Sequence, residues 1–160
     1  MIRHFYSLQR SEYKIRKILT VIIILGFIVL GAFVIVPFRS EPPIPTVTAG
    51  NKEIPTTQGS YCWEGLFSAE CVDKVYTSVL DMAKEYQPTV VSPNEEIKMD
   101  FKKEPETMVV ERWIGNEHKE TIEVKNSAIV VPNEEGSYIY HVLGYWKQGD
   151  VDYVFMIEVK

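Results

Sequence analysis

The sequence predicts a mainly β protein: one N-terminal transmembrane helix, then an extracytoplasmic β-sandwich that carries one amphipathic helix. Three observations lead there. Residues Ile18 to Val36 form an apolar run without a charge, basic residues precede that run while acidic ones come after it, and the segments after Pro93 alternate in polarity between turn residues.

The run has 19 residues, with Thr20 as its one polar side chain. As a helix it would rise about 28 Å, close to the ~30 Å of a bilayer's hydrocarbon core. Fifteen of its residues are Leu, Ile, Val or Phe, which together favour insertion by up to about 5–9 kcal/mol. The transmembrane segment is placed at 18–37, behind a basic cytoplasmic segment, 1–17. Arg3, Arg10, Lys14, Arg16 and Lys17 precede the run, whereas Arg39 and Lys52 are the basic residues close behind it. That bias predicts a cytoplasmic N-terminus and an exported C-terminus. Six of the 17 basic residues and one of the 22 acidic ones lie in 1–39, so this part carries +5 and residues 40–160 carry −10. The rival reading is a cleaved secretory signal, whose apolar region is shorter and has small residues close behind it. Here the run ends in Val36-Pro37-Phe38-Arg39.

Residues 38–58 read as a proline-rich stalk that could join the sheet near Ile54, because Pro42, Pro43, Pro45 and Pro55 favour extended backbone and apolar residues are sparse. Residues 59–160 are enough for one independent core. Within them, Val72, Val75, Tyr76, Val79, Leu80, Ala83 and Tyr86 recur at steps of three and four, which predicts a helix over 72–86 stopped by Gln87-Pro88. Strands are expected at 97–101, 107–113, 121–125, 128–131, 137–146 and 151–159, the last two as an antiparallel hairpin. The turn before Gly136-Ser137-Tyr138-Ile139-Tyr140 resembles the tyrosine corner of immunoglobulin-like domains, which makes the expected sandwich an immunoglobulin-like one.

Cys62 and Cys71 are the two cysteines, and both fall in the part expected outside. A disulfide between them would join the first strand to the start of the helix and stabilise by roughly 2.5–3 kcal/mol on the chain-entropy model. Free thiols, or a metal or redox role, are the alternatives. Neither a Cys-x-x-Cys spacing nor a four-ligand set is present.

At these residues the chain resembles a group of uncharacterised membrane-anchored or lipoprotein-like envelope proteins of Bacillus-like Gram-positive bacteria. The resemblance rests on Gly59-Ser60-Tyr61-Cys62-Trp63, Cys71-Val72-Asp73, Pro88-Thr89-Val90-Val91-Ser92-Pro93 before Ile97, Met99 and Phe101, and the closing 153–159. It implies an envelope location and a sandwich. It supplies no catalytic residue.

The search for chemistry yields no catalytic, cofactor or metal site. Residues 40–160 hold no Gly-x-Ser-x-Gly elbow and no Ser-x-x-Lys. Glu117, His118 and Glu120 lie at a polar hairpin tip, Asp150 and Asp152 match no EF-hand, and His141 is expected on an outward strand face beside an acidic neighbour. The −10 of residues 40–160 repels phosphate, which disfavours nucleic acid as a partner. Trp63, Phe67 and Trp146 are the expected exposed contacts to an envelope protein or polymer. The function expected is a single-pass cell-membrane protein presenting a non-catalytic binding or structural domain. The alternatives are an inhibitor or regulator of an envelope protease or sensor, and a small exported metal-dependent factor or enzyme.

Overall fold

A computed structural model describes residues 2–35, 41–65, 69–114 and 118–160, with side chains of the N-terminal helix described from Tyr13 to Gly31. The chain divides into two compact units, Met1–Arg39 and Ser40–Lys160.

The first unit is one helix, α1 (Ile2–Ile35). It contains no proline, and no break separates the basic segment from the apolar run. Thr20, the polar side chain of the run, donates from its hydroxyl to the Arg16 carbonyl at 2.9 Å, so its hydrogen bond is made inside the helix. The large apolar side chains from Ile18 to Leu30 are each 52–71% exposed. Lys17 lies 4.6 Å from the centre of the Tyr13 ring. Among the described residues no helix is long and apolar enough to cross a membrane.

The second unit is mainly β. In chain order it runs β1 (Thr46–Ala49), β2 (Lys52–Glu53), β3 (Thr57–Glu64), β4 (Ala69–Val72), α2 (Val79–Ala83), β5 (Thr89–Val91), β6 (Glu96–Asp100), β7 (Thr107–Ile114), β8 (His118–Ile122), β9 (Ala128–Val130), β10 (Gly136–Trp146) and β11 (Gly149–Val159). One sheet has the order β2-β1-β6-β9. The other has the order β4-β3-β11-β10-β7-β8, with β5 alongside the end of β11. All pairs are antiparallel except β5 with β11.

Period-two patterning explains the layers. In β6, Ile97 and Met99 are buried while Glu96, Lys98 and Asp100 are exposed. The β10–β11 hairpin pairs eleven residues with eleven, from Gly136 opposite Val159 to Trp146 opposite Gly149. Gly149 closes it at φ +150°, where a Cβ would lie 1.9 Å from the Cys62 carbonyl oxygen. No other residue fits there.

Inward residues of both sheets meet in one core, with Val47, Ala49, Ile97, Met99 and Ile129 from one and Tyr140, Val142, Tyr153, Phe155 and Ile157 from the other. Tyr140 stacks on Phe155 at 5.1 Å. The Trp146 ring sits edge-on to Trp63 at 5.4 Å and to Phe101 at 5.5 Å. Polar ends of core aromatics find backbone partners: Tyr138 donates to the Glu134 carbonyl at 3.1 Å, Trp146 to that of Lys103 at 2.9 Å, and Tyr153 to that of Pro43 at 2.6 Å.

Three expectations about elements are corrected. Residues 41–58 are not a free stalk. Pro42 and Pro45 are buried, β1 pairs along β6, and Val47, Ala49 and Ile54 enter the core. Sparse apolar residues cannot build a core alone, but they can complete one that later strands provide. The remainder of the expected stalk that precedes Glu41, residues 38–40, lies outside the described residues.

The helix over 72–86 is also corrected. Cys71 and Val72 belong to β4, and Val75 is 97% exposed. Helix starts only after Ser78, whose hydroxyl accepts from the Asp81 N–H. The short α2 that remains packs Met82 and Ala83 on Val154, with Tyr76, Val79 and Ile139 around them. It covers one patch of the outer face of the seven-stranded sheet. The strand expected at 121–125 lies earlier, at His118–Ile122, where it can pair with β7.

Candidate functional site

Beside the patch under α2, the same outer face carries a charged cluster. β10, β11 and β7 are neighbours, and register sets His141 directly opposite Glu111. Each ring nitrogen of His141 faces a carboxylate oxygen: Nδ1 lies 3.3 Å from Glu111 Oε2, and Nε2 lies 3.1 Å from Asp152 Oδ2. On the far side of Glu111, the Lys119 ammonium donates to Oε1 at 2.7 Å. The His141 side chain is 12% exposed.

Beside Asp152 the neighbouring strand β3 is irregular. Pairing slips between Val151 and Tyr153, so that β3 sets two residues, Gly59 and Ser60, against Asp152. A bulge of this kind re-aims side chains. A Cβ on Gly59 would lie 2.2 Å from an Asp152 carboxylate oxygen, so glycine leaves the space that the carboxylate fills.

Charge is set by these contacts. Burial pushes the Glu111 carboxyl up, but hydrogen bonds from Lys119 and His141, with their charges, outweigh it and hold Glu111 below its ordinary value. Both contacts of His141 are hydrogen bonds at once only when both ring nitrogens carry protons. The cluster is then an alternating chain of charges, Lys119, Glu111, His141 and Asp152.

A shallow hollow of about 200 Å³ opens at the Asp152 end, lined by His141, Leu143, Tyr145, Asp150 and Asp152 among others. No serine, threonine or thiol lines it. With carboxylates on both nitrogens, His141 has none open to take a substrate proton. A second hollow, of about 340 Å³, shares Asp150 and holds Cys62 and Cys71.

A second charged group lies toward the core at the β7–β8 end. Arg112 Nε donates to Glu120 at 2.8 Å, and the guanidinium lies 5.6 Å from the centre of the Tyr138 ring. Burial acts to lower the Arg112 value, but the Glu120 and Tyr140 contacts raise it on balance. Tyr140 Oη is buried beside Arg112, outside ordinary hydrogen-bond geometry. Burial pushes the Tyr140 hydroxyl up, and Arg112 offsets only part of that.

The residues expected from sequence fare unevenly. Cys62 and Cys71 form a disulfide, in direct register between β3 and β4. Its partner strand is thus a β-strand and not the expected helix start. Trp63 and Trp146 are corrected: they are 3% and 6% exposed and belong to the core. Trp63 and Phe101, the rings that Trp146 meets, lie far from it in sequence, which a local reading cannot supply. Phe67 lies outside the described residues. At the polar hairpin tip, Glu117 lies outside them too, and Glu120 is engaged by Arg112. Among the described residues no three His, Cys, Asp or Glu side chains converge as metal ligands.

Sequence reasoning placed His141 on an outward face beside one acid but missed that two carboxylates bracket it. The pairing of Tyr145 with Asp150 across a short turn was the available signal, since it sets Asp152 diagonal to His141. Compared with protein-family models, curated proteins and solved structures, the chain finds no match.

Proposed function

We propose that the chain is a single-pass protein of the cell membrane, N-terminus inside. It presents residues 40–160 outside as a small non-catalytic binding or structural domain of the cell envelope. The observation that carries this reading is the surface of α1. Every large apolar side chain from Ile18 to Leu30 is more than half exposed, on all sides of the helix, and the sequence continues the run to Val36. Water penalises an apolar surface of that extent, whereas hydrocarbon accepts it. The basic residues ahead of it set the orientation. The resemblance to envelope proteins points the same way.

For the exported part, the strand pairings favour an immunoglobulin-like sandwich. β1-β6-β9 matches the A-B-E order, and β11-β10-β7-β8 matches G-F-C-C′. Tyr138 near the start of β10 bonds back to Glu134, as a tyrosine corner does. β2 to β5 and α2 would then be an insertion between the first two strands of that pattern. The non-catalytic reading draws on His141, both of whose nitrogens are engaged.

Protease treatment of intact cells expressing the full chain with a tag at each end tests the topology. Digestion of the C-terminal tag with survival of the N-terminal one is the expected result. A protected C-terminal tag, or a mature protein lacking its first forty residues, overturns it.

A further inference from the structure

The Cys62–Cys71 bond lies at the edge of the seven-stranded sheet. Among the described residues β4 is the last strand of its sheet and pairs with β3 alone. None of its four side chains is buried, and both cysteines are exposed. An exposed disulfide on an edge strand without core contacts opens at low cost to attack by a thiolate.

Its surroundings are acidic. The hollow above the bond is lined by Ser60, Tyr61, Asp73 and Asp150 together with the two cysteines. Asp150 is opposite Cys62 in register, and the Ser60 hydroxyl holds Asp73 with a hydrogen bond of 3.2 Å. No lysine or arginine lines this hollow, although Lys74 comes next in the chain. An approaching thiolate therefore meets like charge, and a positive group beside it relieves that repulsion.

We infer that Cys62–Cys71 is a thiol–disulfide exchange site, selective for a dithiol reductant that carries positive charge next to its reactive sulfur. This goes beyond the proposed anchoring and does not depend on it. In the step, the reductant's thiolate attacks one cystine sulfur. The S–S bond breaks, and the other cysteine leaves as a thiolate that takes a proton. The second thiol of the reductant then attacks the mixed disulfide, which releases the second cysteine as a thiol. The protein gains two electrons and two protons, and the dithiol becomes a disulfide.

The test uses the full chain in non-ionic detergent with three small thiols: cysteamine, mercaptoethanol and mercaptoethanesulfonate. Their thiolate forms carry net charges of about 0, −1 and −2. Reduction is monitored by a gel shift after alkylation and expressed per thiolate. Rates should fall roughly threefold per added negative charge at low salt and converge within twofold in 1 M salt, where screening acts over ~3 Å. The D73N/D150N variant should flatten the series at low salt. Equal rates for the three thiols, a spread that salt leaves unchanged, or reduction only after denaturant overturns the inference. Should the variant fail to fold, the salt series on the unaltered chain decides alone.

Discussion

The hydroxyl of Tyr153, at the centre of the last strand, donates to the carbonyl of Pro43, 110 residues earlier, at 2.6 Å. Proline removes a backbone donor at this point, so the 41–45 segment has no ladder of its own. A core tyrosine supplies the tie, and the chain leading into β1 lies against the core instead of extending as a spacer. Burial, opposed in part by a hydrogen bond from Gln58 and assisted by the charge of Asp152, pushes the Tyr153 hydroxyl well above its ordinary value.

Tyr153→Phe should therefore cost about 1–1.5 kcal/mol at neutral pH, the usual net worth of one hydrogen bond. A raised folded-state value means the native state holds its proton more tightly. The associated stability is full below the unfolded tyrosine value near 10 and is lost as pH rises above it. Denaturant melts from pH 8 to 11 should show a shallower alkaline loss in the Phe variant than in the unaltered chain.

Glu111 carries the opposite sign. Its folded-state value is lowered, so its contribution is present above the ordinary carboxyl value near 4.5 and fades as pH falls through the folded value. Glu111→Gln should destabilise by about 1–2 kcal/mol at pH 7 and by progressively less below pH 4. A pH series of urea melts checks this. An unchanged difference at pH 3 would contradict the assignment of Lys119 and His141 as its partners.

Gly149→Ala should cost more than about 2 kcal/mol, because a Cβ there would meet the Cys62 carbonyl at 1.9 Å and φ is +150°. The readout is the denaturation midpoint, together with loss of dispersed β-hairpin amide signals. Trp146→Ala should cost about 3–5 kcal/mol by opening a cavity between Trp63 and Phe101. A surface contact residue would lose a partner at little cost in stability, so calorimetry separates the two roles.

Tyr140→Phe should be neutral or stabilise by up to about 1 kcal/mol. The hydroxyl is buried and its contact with Arg112 falls outside ordinary hydrogen-bond geometry, so its removal relieves a desolvation cost that this contact only partly offsets. Guanidinium melts of the two proteins decide it.

Elements with a strong local period were readable from sequence. The alternation of β6 and of the β10–β11 hairpin appears directly in the order of residues, and Gly149 marks the turn. The helix over 72–86 failed because a three-four spacing recurs there while Cys71 and Val72 have a strand partner in Cys62 and Tyr61. Pairing across a disulfide outweighs a weak local period. The supposed stalk failed for a related reason. Val47, Ala49 and Ile54 are too few to signal a core, yet β6 offers them one.

The amino-acid order by itself determined the apolar helix, the charge asymmetry around it, the β class of residues 40–160 and the cysteine pair. Each of these is a property of composition or of neighbours a few residues apart. Only the tertiary structure decided that Trp63 and Trp146 are interior, that Pro43 answers Tyr153 and that two residues of β3 stand against Asp152 across a bulge. Those relations depend on which strands lie side by side, and strand order is set by the burial of the whole core, not by any single stretch of it.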